Sequence, residues 1–173
     1  MGGGGSVVYA FRSQHCSRRT GWRGRHGRGV ACQDPVAECA RPAEYQTAGA
    51  AGADLFATLD SPAIDIAPHA RAIILMGIAL EMPFGTEAQI RPRSGLAAKR
   101  GVTVLNSTGT IDSDYRGEIE VILLNTSEVN FSVRSGERIA QIIFAPVLRT
   151  QFEQADELSV SGRRADGIGS TLQ

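Results

Sequence analysis

The chain has 173 residues, with 18 basic and 18 acidic side chains, so its formal net charge is zero and no global polyelectrolyte partner is implied. That length fits one domain with a modest tail, and no run of 18 apolar residues is present to span a membrane as a helix. The three cysteines, Cys16, Cys32 and Cys39, all precede residue 40, and an odd count without framework spacing argues against a disulfide-stapled secreted domain and for a reducing compartment.

Residues 1–43 form the first expected unit, a disordered Arg/Gly-rich extension. The first 33 residues hold six arginines and no acid, and Trp22-Arg-Gly-Arg-His-Gly-Arg-Gly-Val30 has no apolar periodicity, so nothing there can bury a face. The composition suits an organelle transit peptide, a tract that binds nucleic-acid phosphates nonspecifically, or an extension without a role of its own; the last is the preferred reading. A zinc site built from His15, Cys16, His26 and Cys32 matches no compact ligand spacing. Trp22, the only tryptophan, is expected to be exposed.

The character changes at residue 48. Short apolar runs at 54–59, 64–66, 72–82, 88–90, 102–105, 118–124, 131–133, 138–146 and 151–158 alternate with turn signals such as Ser61-Pro62, Pro68, Pro83-Phe-Gly85 and Ser135-Gly136. Many short strands at this spacing predict an all-β sandwich or barrel over residues 44–160. Ile119, Val121 and Leu123 alternate with Glu118, Glu120 and Ile122, which suits a half-buried strand. Ile139 to Phe144 is nearly all apolar and reads as a central strand; within it Gln141 needs a partner for its amide, as a structural amide or as the orienter of a bound water. One short helix is expected over Ser94-Gly-Leu-Ala-Ala-Lys-Arg-Gly101, with a serine cap, basic residues in the last turn and a glycine stop. Its opening, Arg93-Ser94-Gly95, is either an anion site or an ordinary capped turn with a surface arginine. Residues 161–173 are expected to be a mobile arm.

The charge-dense stretch is 106–119, where Asp112, Asp114, Tyr115 and Arg116 crowd one turn. Asp112 and Asp114 allow a metal pair, a general base with a neighbour, or a polar hairpin tip; alternate positions on an extended chain face opposite sides, which disfavours one shared metal. Tyr115 is a packing residue or a sugar platform. Asp54 is expected to be buried and bonded to backbone or arginine, Glu137 and Arg138 to form a solvated pair, and His69 to lie on the surface. No Ser-His-Asp or Cys-His arrangement is available for a covalent nucleophile.

Five stretches together resemble the trimeric dUTPase family (deoxyuridine triphosphate nucleotidohydrolases). They are Ala51-Gly-Ala-Asp-Leu-Phe-Ala57, Pro92-Arg-Ser-Gly-Leu-Ala97, Gly109-Thr-Ile-Asp-Ser-Asp-Tyr-Arg-Gly-Glu-Ile119, Gly136-Glu-Arg-Ile-Ala-Gln141 and a tail ending Gly167-Ile-Gly-Ser-Thr171. The resemblance covers residues 45–171. It implies a distorted jelly-roll/β-barrel-like subunit with one short helix, a homotrimer whose sites draw on all three chains, and hydrolysis of dUTP to dUMP and pyrophosphate with Mg2+. Carried over residue by residue, it makes Asp112 the carboxylate that activates water, with Gln141 helping to hold it. Arg93, Ser94, Gly95, Gln141, Arg163, Ser170 and Thr171 would contact phosphates. Asn106, Gly109, Thr110, Ile111 and Asp112 would read the uracil edge, Tyr115 would lie under the deoxyribose, and Glu120 and Ile168 would complete the nucleoside site. Asp54 and Arg138 would support it. Mg2+ would be held by phosphates and waters, without direct protein ligands. The arm 161–173 would close the site of a neighbouring subunit, and the enzyme would be cytoplasmic, or organellar if the extension is a transit peptide.

Two departures stand out. The tail carries Ile168 where the family stacks a phenylalanine on uracil, with Arg164 and Asp166 in place of glycines, so substrate closure should be weaker; loss of base stacking costs about 1–3 kcal/mol. Before Tyr45 only Val30-Ala-Cys32 offers a weak candidate for the first family strand. The same fold also serves dCTP deaminases, against which the Ile111-Asp-Ser-Asp-Tyr115 hairpin speaks, and the altered tail keeps a non-catalytic nucleotide-binding relative as a further alternative.

Overall fold

The computed structural model describes residues 6–11 and 40–161. Ten strands and one helix follow in order: β1 (Val8–Phe11), β2 (Ala53–Phe56), β3 (Ala63–Ile66), β4 (Arg71–Glu81), β5 (Thr86–Pro92), α1 (Ser94–Arg100), β6 (Val102–Val104), β7 (Gly109–Asp112), β8 (Glu118–Asn125), β9 (Phe131–Arg134) and β10 (Arg138–Pro146). All pairings are antiparallel, in a sheet β1-β4-β8-β6, a sheet β2-β10-β5-β7 and a ribbon β3-β9. The sheets stay open, so the jelly-roll expectation is met in its sandwich form and the closed barrel is not.

The core lies between the sheets. Ile74, Met76, Ile78, Ile119, Val121 and Leu123 come from the first; Leu55, Ala88, Ile90, Ala140 and Ile142 from the second; Ile66, Phe131 and Val133 from the ribbon. Each large side chain among these contributes roughly 1.5–3 kcal/mol by leaving water. β8 buries alternate residues, as its sequence predicts, because β-strand side chains alternate faces. β10 is central, paired on both edges by β2 and β5.

Several expectations need correction. Within the stretch read as disordered, Val8–Phe11 is a strand that pairs with Ile78–Glu81 of β4. Its apolar β-formers were masked by the glycine run before them and by the unpatterned sequence after. Val30, Cys32 and Trp22, with the imagined zinc ligands, lie outside the described residues. The segment 109–112, read as part of a turn, is strand β7. The apolar run 151–158 forms no strand and is fully exposed. In α1 the N-cap is Arg93, with no side-chain cap bond, and Ser94 is already helical. The stop holds: Gly101 adopts φ 63°, and its N–H reaches Ala97 and Leu96 carbonyls. Lys99 and Arg100 occupy the last turn, where they oppose the dipole's negative end.

Candidate active site

Asp54 organises the first cluster. It sits on β2 directly opposite Gln141 of β10 and is only 1% exposed. Its Oδ1 accepts a hydrogen bond from Gln141 Nε2 at 3.1 Å and lies 3.3 Å from Arg93 Nε; its Oδ2 accepts from Arg138 Nη1 at 3.1 Å. Arg93 Nη1 also donates to the Arg138 carbonyl at 2.9 Å. A carboxylate removed from water is tolerated only when paired and fully hydrogen-bonded, and two guanidinium groups and an amide meet that demand. Three separate motifs therefore converge on one buried oxygen pair. The arginines are not consumed: Arg93 keeps 26% and Arg138 44% of its side chain exposed, which leaves donors for an anion.

Arg138 thus pairs with Asp54, and also with Gln46 Oε1 at 3.1 Å, where a solvated pair with Glu137 was expected. Glu137 instead accepts from the Arg134 backbone N–H. The amide nitrogen of Gln141 is committed to Asp54, and the side chain is only half-buried. Gly52 permits this packing, because a Cβ there would lie 3.3–3.4 Å from Ile143 and Gln141 side-chain atoms. Ser94 and Gly95 open α1 beside Arg93 and are both exposed.

The second cluster is the β7–β8 connection, which is not the paired hairpin that was expected: β7 pairs with β5 in one sheet and β8 with β4 and β6 in the other. A cleft of about 190 Å³ is lined by Thr110, Ile111, Asp112, Tyr115, Glu118, Ile119 and Glu120. Asp112 ends β7, and its carbonyl accepts the Tyr115 N–H at 3.1 Å, which closes the turn. Arg116 staples that turn by donating from Nη1 to the Ser113 and Tyr115 carbonyls at 2.7 and 3.1 Å. The Tyr115 hydroxyl donates to the Glu118 carbonyl at 3.1 Å while the ring stays 45% exposed. Gly109 is buried, and a Cβ there would stand 3.1 Å from Asn106 Nδ2, so glycine lets Asn106 lie against the start of β7. Asp112 is exposed and sits opposite Glu87 of β5. Like charges facing across a ladder are destabilising, so this pair is kept at a cost to folding. Asp114 lines no part of this cleft. It borders a second one, about 300 Å³, that Asp112 also touches, with Phe84, Glu87 and Arg149 on the far wall.

None of the seven cleft residues belongs to the Asp54 cluster. The Asp54 cluster and the β7 half of the second cluster lie on one sheet, with β5 between them, while the β8 half belongs to the other sheet: β5 pairs with β10 on one edge and with β7 on the other. β10 and β7 are thus two strand spacings apart, about 10 Å. Arg163, Ile168, Ser170 and Thr171 lie outside the described residues. Sequence reasoning overlooked Glu118 and Gly117. Glu118 lines the cleft, receives the Tyr115 hydroxyl on its carbonyl, and accepts the Gly77 N–H on Oε1 at 2.8 Å. Its place on an alternating strand made it read as a solvent-facing acid.

Among the described residues no group of three metal-ligating side chains comes together.

Comparison with known proteins agrees with these motifs. The family model described as dUTPase matches residues 40–172. The deoxyuridine 5'-triphosphate nucleotidohydrolase of Hydrogenobaculum sp. (strain Y04AAS1) is 55% identical over 127 residues, which is 73% of this chain and 87% of that protein. Its counterpart from Cytophaga hutchinsonii is 57% identical over 127 residues, covering 73% and 82%. Among solved structures, the Staphylococcus bacteriophage 80alpha dUTPase with dUPNHPP superposes with a TM-score of 0.72 at 25% identity, over 79% of this chain and 94% of that one. A phage phi11 dUTPase variant, described as coordinating a structural Mg(II) ion, shares the fold with a TM-score of 0.64 at 20% identity, over 72% and 95%. With its first four motifs folded into the two clusters and more than half of each relative's chain aligned, the protein belongs to the dUTPase family.

Proposed function

We propose that this chain is a dUTP diphosphatase that hydrolyses dUTP to dUMP and pyrophosphate, which limits uracil in DNA and supplies dUMP for dTMP synthesis. The observation that carries the reading is the cleft between β7 and β8, in which Asp112, Tyr115 and the β7 backbone share one small concavity. A β-strand rim presents fixed N–H and C=O groups at close range, which suits the edge of a pyrimidine base. Thr110 and Ile111 supply that rim with Glu120 opposite, and Gly109 and Asn106 continue it at the start of β7 in this reading. Tyr115 underlies the deoxyribose, where a 2′-hydroxyl would collide with the ring. Steric exclusion is needed because a merely apolar pocket rejects an added hydroxyl by only about 10².

Asp112 takes a proton from the attacking water as that water strikes the α-phosphorus, a role worth about 10²–10⁴ in rate. Gln141, its amide nitrogen anchored on Asp54, offers its carbonyl oxygen to the same water. Arg93 and Arg138 are held on Asp54 in fixed orientation, and Arg93, with Ser94 and Gly95, receives the phosphates. Arg163, Ser170 and Thr171 of the tail belong to the same phosphate site in this reading, and Ile168 covers the base. Mg2+ carried by the triphosphate would supply charge neutralisation for the leaving pyrophosphate.

The separation of the two clusters supports a site shared between subunits of a homotrimer. Apolar surface supports it too: Ile73, Leu75 and Leu105 are exposed on the β4–β8–β6 sheet, and Leu148, Phe152, Leu158 and Val160 on the arm after β10. No helix among the described residues is long and apolar enough to cross a membrane. Cytoplasmic location rests on the cysteine pattern.

Pyrophosphate release from dUTP with Mg2+ is the test, with Asp112→Asn as the control. Full activity in that variant would remove Asp112 from the mechanism. Ammonia release from dCTP would favour the deaminase alternative, and tight dUTP binding without turnover the regulatory one.

A further inference from the structure

We propose that Gly117 is a specificity-determining position: the space left by its missing side chain is what sets the Tyr115 ring in place as the sugar gate. The inference rests on the dUTP reading above. Tyr115 is not packed into position, since 45% of it is exposed and it stands on the wall of an open cleft. What fixes it is the chain immediately after it. The ring folds back over Gly117, and its hydroxyl donates to the Glu118 carbonyl at 3.1 Å. A Cβ on residue 117 would overlap the Tyr115 hydroxyl oxygen and Cζ and approach Cε2 to 2.8 Å.

The usual reason for a turn glycine does not apply. The described glycines with left-handed backbone are Gly77, Gly85, Gly101 and Gly136, and Gly117 is not among them. An alanine could adopt the backbone of residue 117; it could not coexist with the ring in its present position. The base of this arrangement is anchored in turn. The Glu118 carboxylate accepts the Gly77 N–H at 2.8 Å, at the point where the β4–β8 register shifts between Leu75 and Ala79. Gly77 has φ 67°, and a Cβ there would overlap Ala40 and lie 2.8 Å from Thr58 Oγ1. The carbonyl that receives the tyrosine is therefore tied to the sheet, and the ring has one seat, made by the clearance at Gly117.

Filling that clearance tips the ring out of its seat, and the surface that excludes a 2′-hydroxyl goes with it. Sugar discrimination should suffer more than hydrolysis itself. The experiment is a double-mutant cycle on Tyr115→Ala and Gly117→Ala, reading kcat/KM for dUTP and for UTP together with thermal unfolding. Gly117→Ala is expected to lower the dUTP-over-UTP preference by about tenfold or more. In the Tyr115→Ala background the same substitution is expected to change that preference by less than about twofold and to leave Tm where it was. An unchanged preference in Gly117→Ala, or an equal effect in both backgrounds, overturns the inference. If Gly117→Ala does not fold, the double variant should, because the colliding ring is gone; a double variant that also fails to fold overturns it. A wild-type protein that turns over no dUTP overturns the functional reading itself, and the sugar gate with it.

Discussion

At the scale of single residues, Asp54 shows how one buried charge can organise side chains from distant parts of the chain. Its two oxygens fix two arginines and a glutamine that come from β10 and from the N-cap of α1. Asp54→Asn keeps the shape and removes the charge, so Arg93 and Arg138 lose their shared counterion. Because both arginines retain solvent, the loss should be smaller than for a fully buried pair, about 1–3 kcal/mol in urea denaturation at neutral pH. Turnover of dUTP should fall together with stability, since the phosphate donors are no longer oriented. Asp112→Asn should behave differently: stability unchanged or raised, because it faces Glu87, while kcat drops by about 10²–10⁴ with little change in KM. Steady-state kinetics beside a melting curve separates the two. That Asp54 is buried was legible in the sequence, flanked as it is by Ala53 and Leu55. Which groups satisfy it was left open between backbone and arginine, because Arg93 lies in another motif and Arg138 and Gln141 lie 84 and 87 residues away along the chain, and no local pattern encodes them.

Elements carry the next level. β8, β10 and the glycine stop of α1 follow from alternation, continuous apolarity and αL chemistry, all of which are local signals. Gly101 also closes onto β8's end: its carbonyl accepts the Thr126 N–H and the Thr126 hydroxyl, at 2.8 and 2.7 Å. Gly101→Ala should therefore cost about 1 kcal/mol by forcing a Cβ into the αL region, 3.2 Å from Ser127 Cβ and Thr126 Oγ1; a shift in the urea midpoint with unchanged slope would show it. β1 and β7 were not legible. β1 is four residues long and gains its strand character from the β4 edge it covers, and β7 is a strand only because β5 pairs with it. Removing residues 1–11 should leave Ile78–Glu81 as a bare edge, and light scattering on warming should report earlier aggregation than in the full chain.

For the whole molecule, the two clusters on either side of β5 raise the question of where one substrate can touch both. Assembly answers it if the hub of one subunit meets the β7–β8 turn of the next. Sedimentation should then give three chain masses. Mixing is the sharper probe. Asp54→Asn and Asp112→Asn proteins, each nearly inactive alone, should recover part of the wild-type rate after being unfolded and refolded together, because some mixed sites combine an intact hub with an intact β7–β8 turn. No recovery would place both clusters of each site in one chain. The trimer is implied by the family resemblance and not by periodicity or composition; Ile73 and Leu75 look like ordinary strand residues until the fold shows that they are exposed.

β5 has a consequence for how such a chain can change over time. Seven consecutive residues, Thr86 to Pro92, are in register with β10, and Glu87 to Ile90 are in register with β7 on the opposite edge. A single inserted or deleted residue within that strand would turn its side chains to the wrong face and slide the two clusters past each other. Length variation is tolerable in the connections that touch neither cluster, such as the β2–β3 and β8–β9 loops, and heritable indels should accumulate there. β5 is the ruler against which the rest of the lineage can be measured: loops can lengthen, but the spacing it keeps between the Asp54 cluster and the β7–β8 turn must be inherited intact.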